Sequence, residues 1–558
     1  MDSKSSGSCE KGQPSSLLLI DCSTDERTQD GAMQTTSNAD TAVASGASLN
    51  IPLEKKQFGI ITIVSFAFVI CNSWAGVSGS LQLALLAGGP VTLVYGILIS
   101  TIIYICIALS MAELASAYPT AGGQYHFASI LAPKAINQGI SYACGLVSLL
   151  SWIAIGSSVT LIPAQQIPAL VTAYSDTYTE HSWHVFLIYE AVALVVLLFN
   201  LFALKRNPWV HEVGFCLTIC LFVVSFIGIL SRSKPKAPNS QVWTAWSNYT
   251  GWPDGVCFIL GISTSCFMFI GLDAAMHLAE ECTDAARTVP KAVVSAIVIG
   301  FCTAFPYTIA VLYGISDLSS VLTTTGYIPL ETMTQCLQSL DFATVLACGG
   351  IFMAFFALNA VQETASRLTW SFARDNGLVF STHLQRIHPR WQVPVWSLFI
   401  TWGILAIYGC IFLGSSTAFN ALVNSAIALQ QLSFLIPIAL LLYRKRDPEF
   451  LPITRAFVLP HGVGLLVNIL AVVFTSVTTV FFCFPLILPM TASNMSTFRL
   501  VASLVIRIDI FLDYTSAIIG IAFALGVVNW IVHARKHYQG PHVELDGRIV
   551  GGEFQIEE

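Results

Sequence analysis

The stretch that decides the fold is FGIITIVSFAFVICNSWAGVSGSLQLALLAGGP, residues 58–90. It is long enough to cross a bilayer, which takes roughly 20 apolar residues. Its middle, Asn72 to Ser80, holds Asn, Trp, two Gly and several Ser. Gly weakens a helix, and Ser offers hydrogen bonds that compete with the helical ones. We therefore predict a membrane-spanning helix that is interrupted near its centre.

The rest of the chain is also strongly apolar. Only 10% of its 558 residues are charged, against about 25% in a soluble domain, and the mean hydropathy is +0.71. This composition excludes a water-soluble fold and predicts an all-α membrane protein of about twelve spanning helices. The predicted segments are 58–86, 90–115, 136–162, 185–204, 208–231, 255–281, 291–315, 341–370, 394–413, 418–443, 460–488 and 513–533.

The sixth segment contains VCFILGISTSCFMFIGLDAAMHLAEE, residues 256–281. Gly271 and Asp273 lie in its middle, where an unpaired carboxylate costs roughly 2.5–3.5 kcal/mol. Interruptions in corresponding helices of two halves indicate a binding site at the membrane midplane. Segments 1–5 and 6–10 are then inverted repeats, and two helices follow them. The alternative is that these glycines only allow close helix packing.

The two breaks suggest ligands for a zwitterionic or cationic solute. Amides at Gly76–Ser80 are expected to face an anionic group, and carbonyls near Phe269–Gly271 a cationic one. Aromatic faces beside the breaks suit an ammonium group, although ordinary packing is the alternative. The predicted substrate-binding residues are Trp74, Ala75, Gly76, Ser78, Gly79, Phe269, Gly271 and Asp273.

Ionisable residues follow the second break at helical spacing. Asp273, His277, Glu280, Glu281 and Asp284 fall at i, i+4, i+7, i+8 and i+11, on one face of a half-helix. We predict Asp273 as amine counter-ion or proton carrier, with His277 as its relay. The alternative for the last three is a solvated helix end.

Further residues suggest an inner gate or a structural role. Glu280 and Glu281 belong to this group. Glu363 and Arg367 are spaced i, i+4 and predict an internal ion pair. Glu113 precedes a turn that contains Pro119, Gly122 and Gly123 and predicts a tight loop.

Basic residues predict the orientation. With both termini cytoplasmic, seventeen Lys and Arg fall in inner segments and five in outer loops, a positive-inside bias. The sequons at Asn248 and Asn494 then lie outside, which makes Asn248 a predicted glycosylation site. Residues 1–56 read as a disordered cytoplasmic tail, 57–536 as the membrane domain and 537–558 as a cytoplasmic C-terminal tail.

Three stretches resemble a known family. They are GGPVTLVYGILISTIIYICIALSMAELASAYPTAGGQYH (88–126), FIGLDAAMHLAEECTDAARTVPK (269–291) and ETASRLTWSFARDNG (363–377). The chain resembles the amino acid–polyamine–organocation superfamily, and within it the fungal amino acid/choline transporter family of choline and GABA permeases. The resemblance covers roughly 55–540. It implies a 5+5 inverted repeat with discontinuous helices 1 and 6, alternating access, a fungal source and a plasma or vacuolar membrane, of which we favour the plasma membrane.

Departures from the family pattern bear on mechanism. The first break reads Ala75-Gly76-Val77-Ser78-Gly79, and the fifth segment has no interior Lys, the residue that carries a proton or replaces sodium in some relatives. Residues 496–512 interrupt a Met495–Asp513 junction, and we interpret them as translated intron. The alternative is an outer-loop insertion, and the cDNA sequence decides between the two.

Together these features predict a secondary transporter in the lipid bilayer for a small amine-bearing solute such as choline, GABA or another amino acid, with a proton as the possible coupling ion. One alternative is transport of an amine-containing secondary metabolite such as an alkaloid. Another, from a different class, is a transporter-like nutrient sensor. The sequence shows no nucleotide loop, metal cluster or nucleophile constellation, so we predict no enzyme activity, no catalytic residues, no cofactor, no metal and no nucleic-acid partner.

Overall fold

A computed structural model describes residues 58–175, 177–204, 207–323, 327–414, 416–488, 514–541, 543–545 and 548–550. The N-terminal tail, the sequon at Asn494 and the interpreted intron at 496–512 lie outside these residues. The described chain is helical apart from one short antiparallel hairpin near its C-terminus, in which Val543 pairs with Val550.

The first half of the bundle has these helices: α1 Ile60–Cys71, α2 Ser73–Leu86, α3 Gly89–Ala117, α4 Gln124–Leu131, α5 Asn137–Tyr174, α6 Ser182–Phe202, α7 Val210–Arg232 and α8 Asn239–Trp243. The second half begins with α9 Asp254–Phe267, α10 Ala274–His277, α11 Ala285–Gly314, α12 Leu318–Thr323, α13 Ile328–Leu337, α14 Leu340–Arg374 and α15 Ser381–Leu384. It ends with α16 Val395–Gly414, α17 Ser416–Tyr443, α18 His461–Phe481, α19 Tyr514–Asn529, α20 Arg535–His537 and strands β1 Val543–Leu545 and β2 Arg548–Val550.

Within the described residues, ten spans are long and apolar enough to cross a membrane. The first of them joins α1 and α2. The split sixth segment (α9 and α10) and α19 account for the other two predicted segments, so all twelve are present as helices. The prediction of an all-α, multi-pass membrane fold is confirmed.

The breaks in segments 1 and 6 differ in form. Segment 1 is interrupted at one residue, Asn72, which adopts a left-handed conformation with φ 34° and ψ 53°. Asn is among the few residues other than Gly that tolerate this conformation. Segment 6 loses regular helix over residues 268–273, where Gly271 has φ 81°.

The half-helix after the second break is much shorter than predicted. It consists of the single turn α10, a 3-10 turn at Ala279–Glu281 and an extended Cys282. Asp284 is left-handed at the start of α11, with its exposed carboxylate 3.5 Å from Arg287. The five ionisable residues therefore do not share one helical face, because the backbone turns away twice between Asp273 and Asp284.

Candidate functional site

The two breaks lie against each other. Ser73 Oγ donates to the Met268 carbonyl at 2.7 Å. A Cβ added to Gly271 would approach Ile70 Cγ2 to 2.4 Å, so only glycine allows this contact at a positive φ. The unwound part of segment 6 thus packs directly on the end of α1.

A cavity of about 140 Å³ opens beside the breaks, on the side of α2 and α13. Four aromatic side chains line it: Trp74, Phe267, Tyr307 and Tyr327. None of the described residues that line the cavity is charged. The rings of Trp74 and Tyr307 meet edge to face with centroids 5.0 Å apart. The wall is therefore aromatic and aliphatic, with few polar groups.

The predicted site residues divide between the cavity and the protein interior. Five of them line the cavity: Trp74, Ala75, Gly76, Ser78 and Gly79. Phe269, Gly271 and Asp273 do not line it. Phe269 is fully buried against Tyr104, with ring centroids 5.1 Å apart, and Phe267 faces the cavity instead. Phe269 therefore does not reach the cavity in this conformation, and its contact with a ligand stays a prediction.

The backbone amides at Gly76–Ser80, predicted to be free for an anionic group, lie within the continuous helix α2. Gly76 N–H donates to the Asn72 carbonyl at 3.0 Å, and α2 continues through Gly76–Ser80. Ser78 and Ser80 bond to carbonyls one turn earlier. The break falls at Asn72, four residues before the predicted position, so these amides do not form an anion site.

The Asp273 carboxylate is buried and surrounded by polar side chains. Its Oδ2 accepts from Gln124 Nε2 at 2.5 Å, from Trp152 Nε1 at 3.0 Å and from His277 Nε2 at 3.0 Å. Its Oδ1 accepts from Gln430 Nε2 at 3.0 Å. The side chain is 1% exposed. Four polar side chains therefore surround the one carboxylate.

His277 completes this arrangement from the other side. Its Nδ1 lies 2.9 Å from the Ala121 carbonyl, and its Nε2 faces Asp273. A carbonyl only accepts, so Nδ1 carries a hydrogen. His277 thus joins the Asp273 carboxylate to the backbone of Ala121.

The loop at residues 118–123 is fastened to segment 6. Ala121 N–H donates to Glu280 Oε1 at 3.2 Å, while its carbonyl accepts from His277. A Cβ on Gly123, which has φ 52°, would lie 3.2 Å from His277 Cε1, so glycine permits the approach. A Cβ on Gly122 would press on Tyr125 at 2.9 Å.

Ion pairs close the end of the bundle opposite the cavity. Arg374 binds both carboxylate oxygens of Glu280 at 3.0 Å. Arg367 contacts Glu281 at 2.9 Å and Glu363 at 3.1 Å, so the predicted Glu363–Arg367 pair is present. Segment 1 joins this end because Phe58 N–H donates to the Glu281 carbonyl at 3.2 Å.

Glu113 lies near this closed end. Arg446 and Arg455 each contact it at 2.7 Å, and Leu459 N–H donates to it at 3.1 Å. The carboxylate is fully buried and joins α3 to the chain after α17. Glu113 thus holds two parts of the chain together through its ion pairs, and it does not line the cavity.

Several partners, among them Gln430 and His211, were not foreseen from the sequence. Gln430 on α17 donates to Asp273 and accepts from Gly271 N–H at 3.2 Å, so it spans the second break. His211 on α7 is buried 3.1 Å from Glu363 Oε2. Both are polar residues inside apolar segments, which is the signal that could have singled them out.

The predicted glycosylation site lies in the loop after α8. Asn248 Nδ2 donates to the Trp252 carbonyl at 2.8 Å and to Asp254 Oδ1 at 3.0 Å, and Thr250 is fully buried. Nδ2, the atom that would carry the glycan, therefore makes its hydrogen bonds within the loop.

Two interrupted helices that meet at a central cavity in an all-helical membrane bundle are the arrangement of a secondary transporter. The amino acid permease family model matches residues 61–506. The chain therefore belongs to the amino acid permease family, within the amino acid–polyamine–organocation superfamily. Its members are transporters, not enzymes.

Individual relatives agree with this assignment. The chain is 33% identical to the choline transporter of Saccharomyces cerevisiae, over 82% of this chain and 80% of the relative. It is 29% identical to a putative amino acid/polyamine transporter of Macrophomina phaseolina, over 78% and 96%. It is 27% identical to the swainsonine transporter of Arthroderma benhamiae, over 87% and 92%.

Proposed function

We propose that this permease transports choline or a closely similar small ammonium compound across the plasma membrane, with both termini in the cytoplasm. The observation that carries the proposal is the cavity beside the two breaks. Trp74, Phe267, Tyr307 and Tyr327 line it, and no described lining residue is charged. A quaternary ammonium group donates no hydrogen bond and is held by aromatic faces, which contribute up to about 2 kcal/mol each when desolvated.

GABA and other amino acids fit this cavity less well. Their carboxylate would enter a site whose described wall has no cationic side chain, and the amides of Gly76–Ser80 are engaged in α2. A buried charge without a partner is costly. Choline, which has no carboxylate, therefore matches the cavity wall better than GABA or other amino acids do.

Proton coupling is a further part of the proposal. His277 Nε2 lies 3.0 Å from Asp273 in a buried site, and its Nδ1 holds the Ala121 carbonyl of the loop at residues 118–123. Gain or loss of a proton at the contact between Nε2 and the carboxylate would shift His277 and so alter the bond that joins segment 6 to this loop. A cationic solute also gains about 2.3 kcal/mol per 100 mV of inside-negative potential, so a proton adds to a driving force that already exists.

A second candidate is transport of an amine-containing secondary metabolite. The similarity to the swainsonine transporter of Arthroderma benhamiae favours it. The apolar wall of the cavity accepts a bulkier amine as readily as choline.

The test is uptake in yeast that lacks its own choline transport. Labelled choline, GABA, betaine and amino acids are offered separately, with and without a protonophore. We expect saturable choline uptake that the protonophore reduces. Uptake of GABA or amino acids without choline uptake would overturn the substrate assignment. Export of an amine-containing secondary metabolite from loaded cells would support the second candidate.

A further inference from the structure

Two buried polar atoms on the cavity-lining residues have no hydrogen-bond partner among the described residues. They are Asn72 Oδ1 and Trp74 Nε1. The two residues are 8% and 7% exposed, and both line the same cavity. A buried polar group that lacks a partner destabilises the protein, so such groups are uncommon unless a ligand supplies the partner.

The surroundings hold both residues in place without satisfying these atoms. Asn72 N–H donates to the Phe68 carbonyl at 2.7 Å, and the Asn72 carbonyl accepts from Ala75 and Gly76 N–H at 3.0 Å. The buried side-chain oxygen takes part in none of these bonds. The Trp74 ring packs against Tyr307 and Phe222, with centroids 5.0 and 6.2 Å away, while its N–H lacks an acceptor.

The two atoms differ in chemistry. Asn72 Oδ1 only accepts a hydrogen bond, and Trp74 Nε1 only donates one. A hydroxyl group can do both. A quaternary ammonium group satisfies neither, which leaves it to the aromatic faces.

We infer that Asn72 and Trp74 bind a hydroxyl group of the substrate, so that the permease selects hydroxylated ammonium compounds over ammonium compounds without a hydroxyl. The inference rests on the proposed function. It gives the first break a role in recognising the hydroxyl at the uncharged end of the substrate. It also explains why an asparagine occupies the break. Asparagine tolerates the left-handed backbone and also supplies the acceptor.

The test compares two inhibitors of labelled choline uptake. Choline carries a hydroxyl, and propyltrimethylammonium has nearly the same shape with a methyl group in its place. We expect the permease to prefer choline by about tenfold or more, because the analogue leaves both buried atoms unpaired. In Asn72→Gly, which keeps the backbone conformation, and in Trp74→Phe, this preference should fall towards one.

The matched control is Ser148→Ala. Ser148 Oγ is also buried without a described partner, but Ser148 does not line the cavity. This variant should keep the preference of the unaltered protein. Surface expression of every variant is measured in parallel, and Trp74→Phe tests the inference where Asn72→Gly is poorly expressed.

The outcomes separate the two proposals. Equal inhibition by both compounds in the unaltered protein, or a preference that neither substitution reduces, overturns the role of Asn72 and Trp74 and leaves choline transport intact. If neither compound competes and choline is not taken up, the proposed function fails, and the inference fails with it.

Discussion

Gln430 holds Asp273 from across the second break: its Nε2 donates to Asp273 Oδ1 at 3.0 Å, while its Oε1 accepts from Gly271 N–H at 3.2 Å. One amide therefore satisfies the backbone of the unwound segment and the carboxylate beside it. Both residues are buried, so neither contact has water as a ready substitute. The α17 helix fixes the shape of the break through this side chain.

Replacement of Gln430 by Leu should remove both contacts at once. We expect a loss of about 1–3 kcal/mol in the free energy of unfolding and at least a tenfold loss of uptake, because Asp273 and the break lose their support. Thermal unfolding of purified protein and initial uptake rates measure the two effects.

The neighbouring residue is the control for this change. Gln431 bonds to Tyr104 and Thr478 and makes no described contact with Asp273. Gln431→Leu should lower stability to a similar degree while the pH dependence of uptake stays the same. An identical pH profile for Gln430→Leu and the unaltered protein would contradict the assigned role of Gln430.

Asp273→Asn should abolish uptake or separate it from the proton gradient. The amide keeps the shape of the side chain but takes up and releases no proton beside His277. Uptake by the unaltered protein should fall as external pH rises, because the coupled proton is then scarcer outside. Uptake at pH 5 to 8, with and without protonophore, measures the effect.

Asp341→Asn is the matched control for this substitution. Asp341 accepts from Tyr174 Oη at 2.8 Å at an exposed position, far along α14 from the ion pairs. Its variant should transport normally with an unchanged pH profile. Full, pH-sensitive uptake by Asp273→Asn would refute the coupling role.

Gly271→Ala should destabilise the protein by about 2–4 kcal/mol. The added Cβ would lie 2.4 Å from Ile70 Cγ2, at a φ of 81° that disfavours every other residue type. Gly403→Ala is the control, because a Cβ there meets nothing within 4 Å inside α16. It should stabilise the helix by up to about 1 kcal/mol. Equal melting temperatures of the two variants would show that the breaks do not pack this closely.

The Glu280–Arg374 pair should show measurable coupling in a double-mutant cycle. Glu280→Gln and Arg374→Gln alone and together are expected to give an interaction energy of about 1 kcal/mol, because the contact is bidentate and partly buried. The Asp284–Arg287 pair, largely exposed at 3.5 Å, should give a value near zero. Thermal unfolding of each variant supplies the numbers, and a coupling no larger than that of the exposed pair would exclude a closing role.

Much of the fold follows from hydropathy. Spans near 20 apolar residues are long, repeated signals, and most helix ends lie within a few residues of prediction. The exceptions extend beyond the apolar core, as in α5, or stop short of the predicted end, as α18 does at Phe481. The break in segment 6 was also predictable, since Gly271 and Asp273 are costly in a helix. The break in segment 1 was placed too late, because the pattern of Gly and Ser residues outweighed a single Asn.

The site was less predictable because it is assembled from distant segments. Tyr307, Tyr327 and Gln430 reach the breaks from three other parts of the chain, and no local pattern shows which way they face. Phe269 and Phe267 are two residues apart, yet Phe267 lines the cavity while Phe269 packs against Tyr104. Such choices depend on the path of the backbone after it leaves the helix.

The contacts between the broken helices come in two sets. Phe58 joins the start of segment 1 to the end of segment 6, while the Thr264–Ser80 contact joins α9 to α2. Each half-helix is thus tied to a half of the other broken helix, and the breaks at Asn72 and residues 268–273, joined by the Ser73–Met268 bond, lie between the two pairs. Rotation about this shared hinge would move both halves of a pair together, so widening the passage on one side narrows it on the other. A molecule that fills the cavity and stiffens the hinge would hold the permease in one orientation, which makes the hinge a natural target for inhibitors.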